Sequence, residues 1–175
     1  GAGRRRRLQH GLSMGGEGER ASRTRPRRGR VSIETFTLRV RHGWVEYTMS
    51  EVPAELHYTE SHEWIRVEAG EVVIGITDFA QNALTDVVWV DLAEVGAVVD
   101  AMEPCASVES VKSVSEIYAP VSGEIIASNM ELEDAPEIIN EDPYGDGWIL
   151  RMTTADSANL KALLDATAYA TLIGE

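Results

Sequence analysis

The stretch Cys105-Ala106-Ser107-Val108-Glu109-Ser110-Val111-Lys112-Ser113-Val114-Ser115-Glu116-Ile117-Tyr118-Ala119-Pro120-Val121-Ser122-Gly123 decides the fold. It reads as two β-prone runs, 105–109 and 115–119, meeting at a short polar tip, which predicts a hairpin with Lys112 held at its end. Lys112 is one of only two lysines in 175 residues. In a chain that otherwise carries arginine, such a lysine suggests a primary amine needed for chemistry that a guanidinium cannot perform. A hairpin tip presents that amine to solvent and to another protein's active site, which suits enzymatic acylation. It suits a Schiff-base lysine poorly, because that role requires desolvation.

Working outward, short strand-like runs alternate with turn residues: 63–68, 72–77, 87–92, 97–99, 124–128 and 148–153, punctuated by Gly70, Gly96, Pro104, Pro120, Gly123, Gly145 and Gly147. Many short strands with tight turns predict a mainly β fold, a small sandwich or flattened barrel. Three helical pieces interrupt it. Residues 78–84 follow a Thr77 cap, and 134–140 carry Pro136 in a first turn. The third begins at an Asp156 or Ser157 cap and spaces Leu160, Leu163, Leu164, Tyr169 and Leu172 near helical period. It is expected to break near Asp165 and to cover a sheet edge.

Charge divides the chain. Residues 1–48 hold 12 Arg against 4 Glu, a balance of +8, whereas 49–175 hold 4 Lys and Arg against 25 Asp and Glu, a balance of −21. We therefore read 1–48 as a basic N-terminal extension and 49–175 as the folded domain. Residues 1–30 have almost no large apolar side chains, only Leu8, Leu12 and Met14, and are expected to be disordered. An Arg-rich transit segment, a basic arm and translated sequence upstream of a start at Met49 are the three readings; Glu17, Glu19 and many glycines favour the last. In 31–48, Phe36, Leu38 and Val40 alternate with polar residues, consistent with a marginal hairpin. A domain at −21 repels phosphate backbones, so nucleic acid is not its expected partner; basic protein surfaces are. No apolar run reaches membrane-spanning length.

Enzyme motifs are missing. His62-Glu63-Trp64 lacks the second histidine of a zinc-protease helix, and no phosphate-cradling glycine loop or Gly-x-Ser-x-Gly elbow occurs. His57 and His62 have no third metal ligand nearby. Cys105, the single cysteine, reads as a small packed apolar residue and permits no internal disulfide. No complete catalytic constellation is present.

From about Ala54 to Leu172 the chain resembles the H-protein family of the glycine cleavage system. The stretches that carry the resemblance are Tyr58-Thr59-Glu60-Ser61-His62-Glu63-Trp64, Gly75-Ile76-Thr77-Asp78, Glu109-Ser110-Val111-Lys112-Ser113, Ala119-Pro120-Val121-Ser122-Gly123-Glu124, Asn140-Glu141-Asp142-Pro143-Tyr144-Gly145 and Gly147-Trp148. Biotin carriers usually flank their lysine with Met, and 2-oxoacid dehydrogenase lipoyl domains usually place Asp before it; Val111 and Ser113 follow the H-protein pattern.

The resemblance implies a barrel-sandwich hybrid of the lipoyl/biotinyl hammerhead type, with a C-terminal helical cover and lipoic acid bound covalently to Lys112. It implies a non-catalytic carrier whose arm takes an aminomethyl group from a pyridoxal-phosphate glycine decarboxylase and passes the carbon to a tetrahydrofolate-dependent aminomethyltransferase. A flavin (FAD) dihydrolipoyl dehydrogenase reoxidises the arm, and a lipoate-attaching enzyme installs it. The cleft that holds the loaded arm corresponds to Ser61, Glu63 and Glu116. Glu116 stands where Asp is common in the family, Thr85 where Gly is frequent and Ala93 where Pro is frequent. Glu63 shares a strand face with Ile65 and Val67, consistent with partial shielding. A monomer in the bacterial cytoplasm is expected, with the mitochondrial matrix as the alternative location. Two other readings stay open: an acidic β-rich interaction module that is never acylated, and an H-like donor of lipoyl groups to other enzymes.

Overall fold

The computed structural model describes residues 35–40, 43–154 and 159–174. It falls into two units, 1–47 and 48–175. In the first, β1 (Thr35–Val40) and β2 (Gly43–Thr48, ending in the second unit) pair as a two-stranded sheet. The readings made for residues 1–34 and for the Asp156 or Ser157 cap lie outside the described residues.

The second unit is mainly β. One sheet has six strands in the order β3 (His57–Tyr58), β4 (Glu63–Glu68), β5 (Glu71–Ile76), β11 (Leu150–Thr153), β10 (Gly123–Ser128) and β7 (Val98–Val99). The other has three, with β8 (Pro104–Ser110) between β6 (Val87–Leu92) and β9 (Val114–Tyr118). All pairings in both sheets are antiparallel. Alternation builds the core. Val87, Val90, Ala106, Val108 and Ile117 from the smaller sheet pack with Ile65, Val72, Ile74, Ile125 and Leu150 from the larger. Each such side chain removed from water stabilises the fold by roughly 1.5–3 kcal/mol.

Helix α1 (Asp78–Leu84) begins where expected, because Thr77 accepts from Ala80 N–H as its N-cap. The expected 134–140 helix is instead two single turns, α2 (Glu131–Asp134) and α3 (Ile138–Glu141). Pro136 separates them: it disfavours helical backbone at Ala135, which lies at φ −139, and has no N–H to donate. Near the C-terminus a 3-10 turn (Asn159–Ala162) is followed by α4 (Ala166–Ile173), whose N-cap is Asp165, so the break falls where expected. The intervening Leu164 exchanges both backbone hydrogen bonds with Tyr58 at 2.8 and 2.9 Å. This covers the outer edge of β3, which sequence reading did not anticipate as a strand.

Candidate functional site

Strands β8 and β9 run antiparallel from the core to the turn at 111–113, where Val111, Lys112 and Ser113 are all exposed. Ser110, 4 % exposed, ties the turn. Its hydroxyl accepts from the N–H groups of Lys112 (3.3 Å) and Ser113 (3.2 Å) and donates to the Ser113 carbonyl (3.2 Å). The Ser110 N–H closes the loop on the Ser113 carbonyl at 2.8 Å, and Val111 N–H reaches the Asp86 carbonyl at 3.3 Å. The backbone is thus held while the lysine side chain stands free: among the described residues no hydrogen bond or ion pair engages its ammonium. Sequence reading found the tip but not Ser110. A serine just ahead of the turn, able to bond backbone two and three residues on, was the available signal.

Glu116 lies on β9 four residues past Lys112, two residues or about 7 Å into the strand at 3.4 Å per residue. It is exposed, and its carboxylate accepts from Tyr118 O–H at 2.9 Å. The Tyr118 N–H in turn donates 3.0 Å to Glu63 Oε1. One tyrosine therefore bonds both carboxylates, a role sequence reading missed although Tyr118 follows Glu116 by two and so shares its strand face.

Glu63 is only 1 % exposed, more deeply shielded than its strand parity suggested. On the same face Ile65 is also buried, while Val67 emerges at 46 %. The cause is local. Thr59 N–H donates to the Glu63 carbonyl (3.0 Å), Glu63 N–H donates to Thr59 Oγ1 (3.1 Å), and that hydroxyl donates to Glu63 Oε2. This box closes the Thr59–Glu63 turn, which His62 rounds at φ +74, and draws the acid inward. Both donors to the carboxylate are neutral, and among the described residues no cation pairs with it. Ser61 stands exposed at the turn's outer side, two residues away.

On the outer face of the smaller sheet, Asp91, Ser107 and Glu116 occupy one register row across β6, β8 and β9. They line a shallow cleft of about 330 Å³ with Ala93 and Cys105, whereas Ser61 and Glu63 do not reach its walls. Cys105 is buried and donates to the Ile117 carbonyl at 3.4 Å. Burial, with Glu63 nearby, pushes its thiol up to about 12. At neutral pH it is a packed thiol rather than a nucleophile. Among the described residues no three metal-ligating side chains converge.

The hydrogen-bonded turn with its exposed lysine sits on a β core that can be compared with known proteins. The glycine cleavage H-protein family model matches residues 56–175. The chain belongs to the glycine cleavage H-protein family. It is 58 % identical over 126 residues to the glycine cleavage system H protein of Enterobacter sp. (strain 638), covering 71 % of this chain and 98 % of that protein. With the H protein of Aeromonas salmonicida (strain A449) it shares 56 % over 128 residues, 73 % of this chain and 99 % of the relative. The crystal structure of a glycine cleavage system H protein from Mycobacterium marinum superimposes with a TM-score of 0.66 at 41 % identity, covering 71 % of this chain and all of that one. H proteins are lipoyl-carrier components of the glycine cleavage system and not themselves catalysts, so the expected family, fold class and non-enzymatic role are borne out. Among the described residues no helix is long and apolar enough to cross a membrane.

Proposed function

We propose that Lys112 is the lipoyl attachment site through which this H protein shuttles an aminomethyl group from a glycine decarboxylase to an aminomethyltransferase. The observation that carries this reading is the free amine of Lys112 on a turn immobilised by Ser110. That arrangement fits an acyl group added by a lipoate-attaching enzyme, since the amine needs no release from an internal partner. When bound, the dithiolane supplies the sulfur and redox chemistry, and dihydrolipoyl dehydrogenase takes the electrons. Tethering on a long arm replaces diffusion between active sites with a high effective concentration.

Residues of this chain then protect the cargo, whose amine end is cationic. Glu116, exposed down the strand from Lys112, is the carboxylate that meets the ammonium directly, and Ser61 flanks the approach. Glu63 acts from behind. Its buried charge, held only by neutral donors, favours a cation nearby, and its bond to the Tyr118 N–H keeps Tyr118 and hence Glu116 in place. The functional unit in this reading is 49–175, acting as a monomer in the bacterial cytoplasm; the bacterial relatives support that location.

Intact mass and peptide mapping after incubation with a lipoate ligase, lipoate and ATP test the attachment. One lipoyl group is expected on the Lys112 peptide, both in the full chain and in 49–175, and Lys112→Arg abolishes it. No gain on the wild type returns the chain to an unacylated acidic interaction module. For the cleft, Glu63→Ala is expected to hasten loss of the aminomethyl group severalfold with lipoylation intact; an unchanged decay removes Glu63 from the account.

A further inference from the structure

The smaller sheet carries a second outward row beside Lys112 that the carrier reading leaves unused. Trp89, Glu109 and Val114 are register neighbours across β6, β8 and β9. Trp89 is 55 % exposed and Val114 64 %, with Val88 (48 %) and Val111 (72 %) beside them. A tryptophan ring gains more from burial than almost any side chain, so leaving it in water forgoes considerable stability.

The backbone goes out of its way to keep it there. Strict alternation after the buried Val87 would turn Val88 outward and Trp89 into the core. Instead the β6–β8 register shifts between Val87 and Trp89, and the burial pattern runs buried, exposed, exposed, buried to Val90. A bulge forfeits regular ladder pairing and re-aims a side chain. Here it aims an aromatic ring outward on the sheet that ends in the Lys112 turn.

We propose that Trp89, with Val114, forms a docking surface for the enzyme that acylates Lys112. This rests on Lys112 being the acylated residue. Forming the amide requires Lys112 Nζ to attack the activated acyl carbonyl; the N–C bond forms, the bond from that carbon to the adenylate oxygen breaks, and AMP and a proton leave. The attaching enzyme must therefore enclose the tip, and the three-residue turn alone offers it little surface. The row behind the tip supplies an apolar anchor at the centre of an acidic field made by Asp86, Asp91, Glu109 and Glu116. A partner with an apolar pocket rimmed by Lys and Arg matches it in both respects.

The test is the initial rate of lipoyl transfer to the full chain by a lipoate–protein ligase, at several chain concentrations, with the Lys112 peptide monitored by mass. Trp89→Ser is expected to lower kcat/KM at least about tenfold through KM, with unchanged thermal unfolding. Trp89→Phe restores most of it, and Val98→Ser, an exposed apolar control on β7, stays within twofold of wild type. Failure to acylate the wild type overturns the Lys112 assignment and the docking surface with it. Acylated wild type with an unaltered Trp89→Ser rate overturns the docking surface alone. Concentration-dependent dimerisation of the wild type that Trp89→Ser abolishes would assign this face to a second copy instead, and would also overturn the proposal.

Discussion

Trp64 and Trp89 sit on strands of the same domain and are treated in opposite ways. Trp64 on β4 is fully buried: its indole N–H donates to the Pro143 carbonyl at 2.8 Å, Tyr144 packs at a ring distance of 6.0 Å, and Gly75 on β5 leaves it room. Around it Tyr58 stacks on Tyr169 with centroids 4.6 Å apart, and the Tyr169 hydroxyl lies 2.8 Å from His62 Nδ1 and 2.7 Å from Thr77 Oγ1. Among the described residues no buried polar side-chain atom is left without a hydrogen-bond partner. The Trp89 indole has neither a hydrogen bond nor a ring contact among the described residues, and the amine at the nearby hairpin tip is equally unengaged. The aromatic region is closed on itself and holds the fold; the hairpin sheet packs its inner side chains in the core but leaves the Trp89 ring and the Lys112 amine in solvent.

If the two regions are separable, damage to the first should cost stability without costing acylation. The largest effect is expected from Gly75→Ala. A Cβ there would stand 2.6 Å from Trp64 Cε2, and a fully buried indole cannot retreat. Overpacking of this kind costs about 3 kcal/mol, which lowers Tm by roughly 10 °C in a domain of this size. At a temperature where the variant is still folded, lipoyl transfer to Lys112 should stay within twofold of wild type. A parallel fall in transfer would break the comparison, because it would show the hairpin geometry to depend on the aromatic region.

Thr85→Gly probes the junction between the regions and should act in the opposite direction. Thr85 closes α1 at φ 67, ψ −140, just before β6, in a conformation that a β-branched residue occupies only under strain. Its carbonyl accepts from Asn140 Nδ2 at 2.7 Å, so the surroundings hold it there, and a backbone bond of that kind survives the substitution. Relief of the strain is expected to raise stability by about 1 kcal/mol, measurable by urea denaturation with an unchanged m-value. Loss of stability would mean that the threonine side chain contributes more than its backbone costs.

The strands were legible in the sequence because period-2 burial and turn residues coincide. The run 63–68 was read with its observed bounds, and 105–109 and 115–119 fell within a residue of theirs. Thr77 announced the start of α1 through ordinary capping chemistry, whereas near Asp165 only a break was legible and its role as the N-cap of α4 came from the structure. What stayed hidden depends on tertiary partners. The strand at His57–Tyr58 is two residues long and exists because β4 and Leu164 flank it. The bulge at Val88 obeys no local signal, since Val-Val-Trp-Val reads equally well as regular strand. At the site, the lysine came from its flanking motif and the Tyr118–Glu116 contact lies within reach of their two-residue spacing, whereas the Tyr118 bond to Glu63 spans 55 residues of chain and leaves no trace in either segment alone.

The smallest expected effect belongs to His62, where the closed region meets the turn that carries Ser61 and Glu63. Burial lowers the His62 pKa below the usual histidine range, and the negative charge of Glu63 only partly opposes this. The folded protein then binds fewer protons at this site than the unfolded chain, so stability rises with pH. The contribution is complete above about 6.5, the ordinary histidine value, and is lost as pH falls through the lower folded value. The neutral ring can accept from the Tyr169 hydroxyl at Nδ1; a protonated Nδ1 cannot, and the Tyr169 and Thr77 hydroxyls must then reorient. His62→Asn keeps a side chain that tolerates φ +74 while removing the titration. Subtracting its unfolding free energy from that of wild type between pH 5 and 7.5 should give a difference that grows with pH and levels off above 6.5. A flat difference would mean that folding leaves the titration of His62 unchanged and would detach it from the closed region.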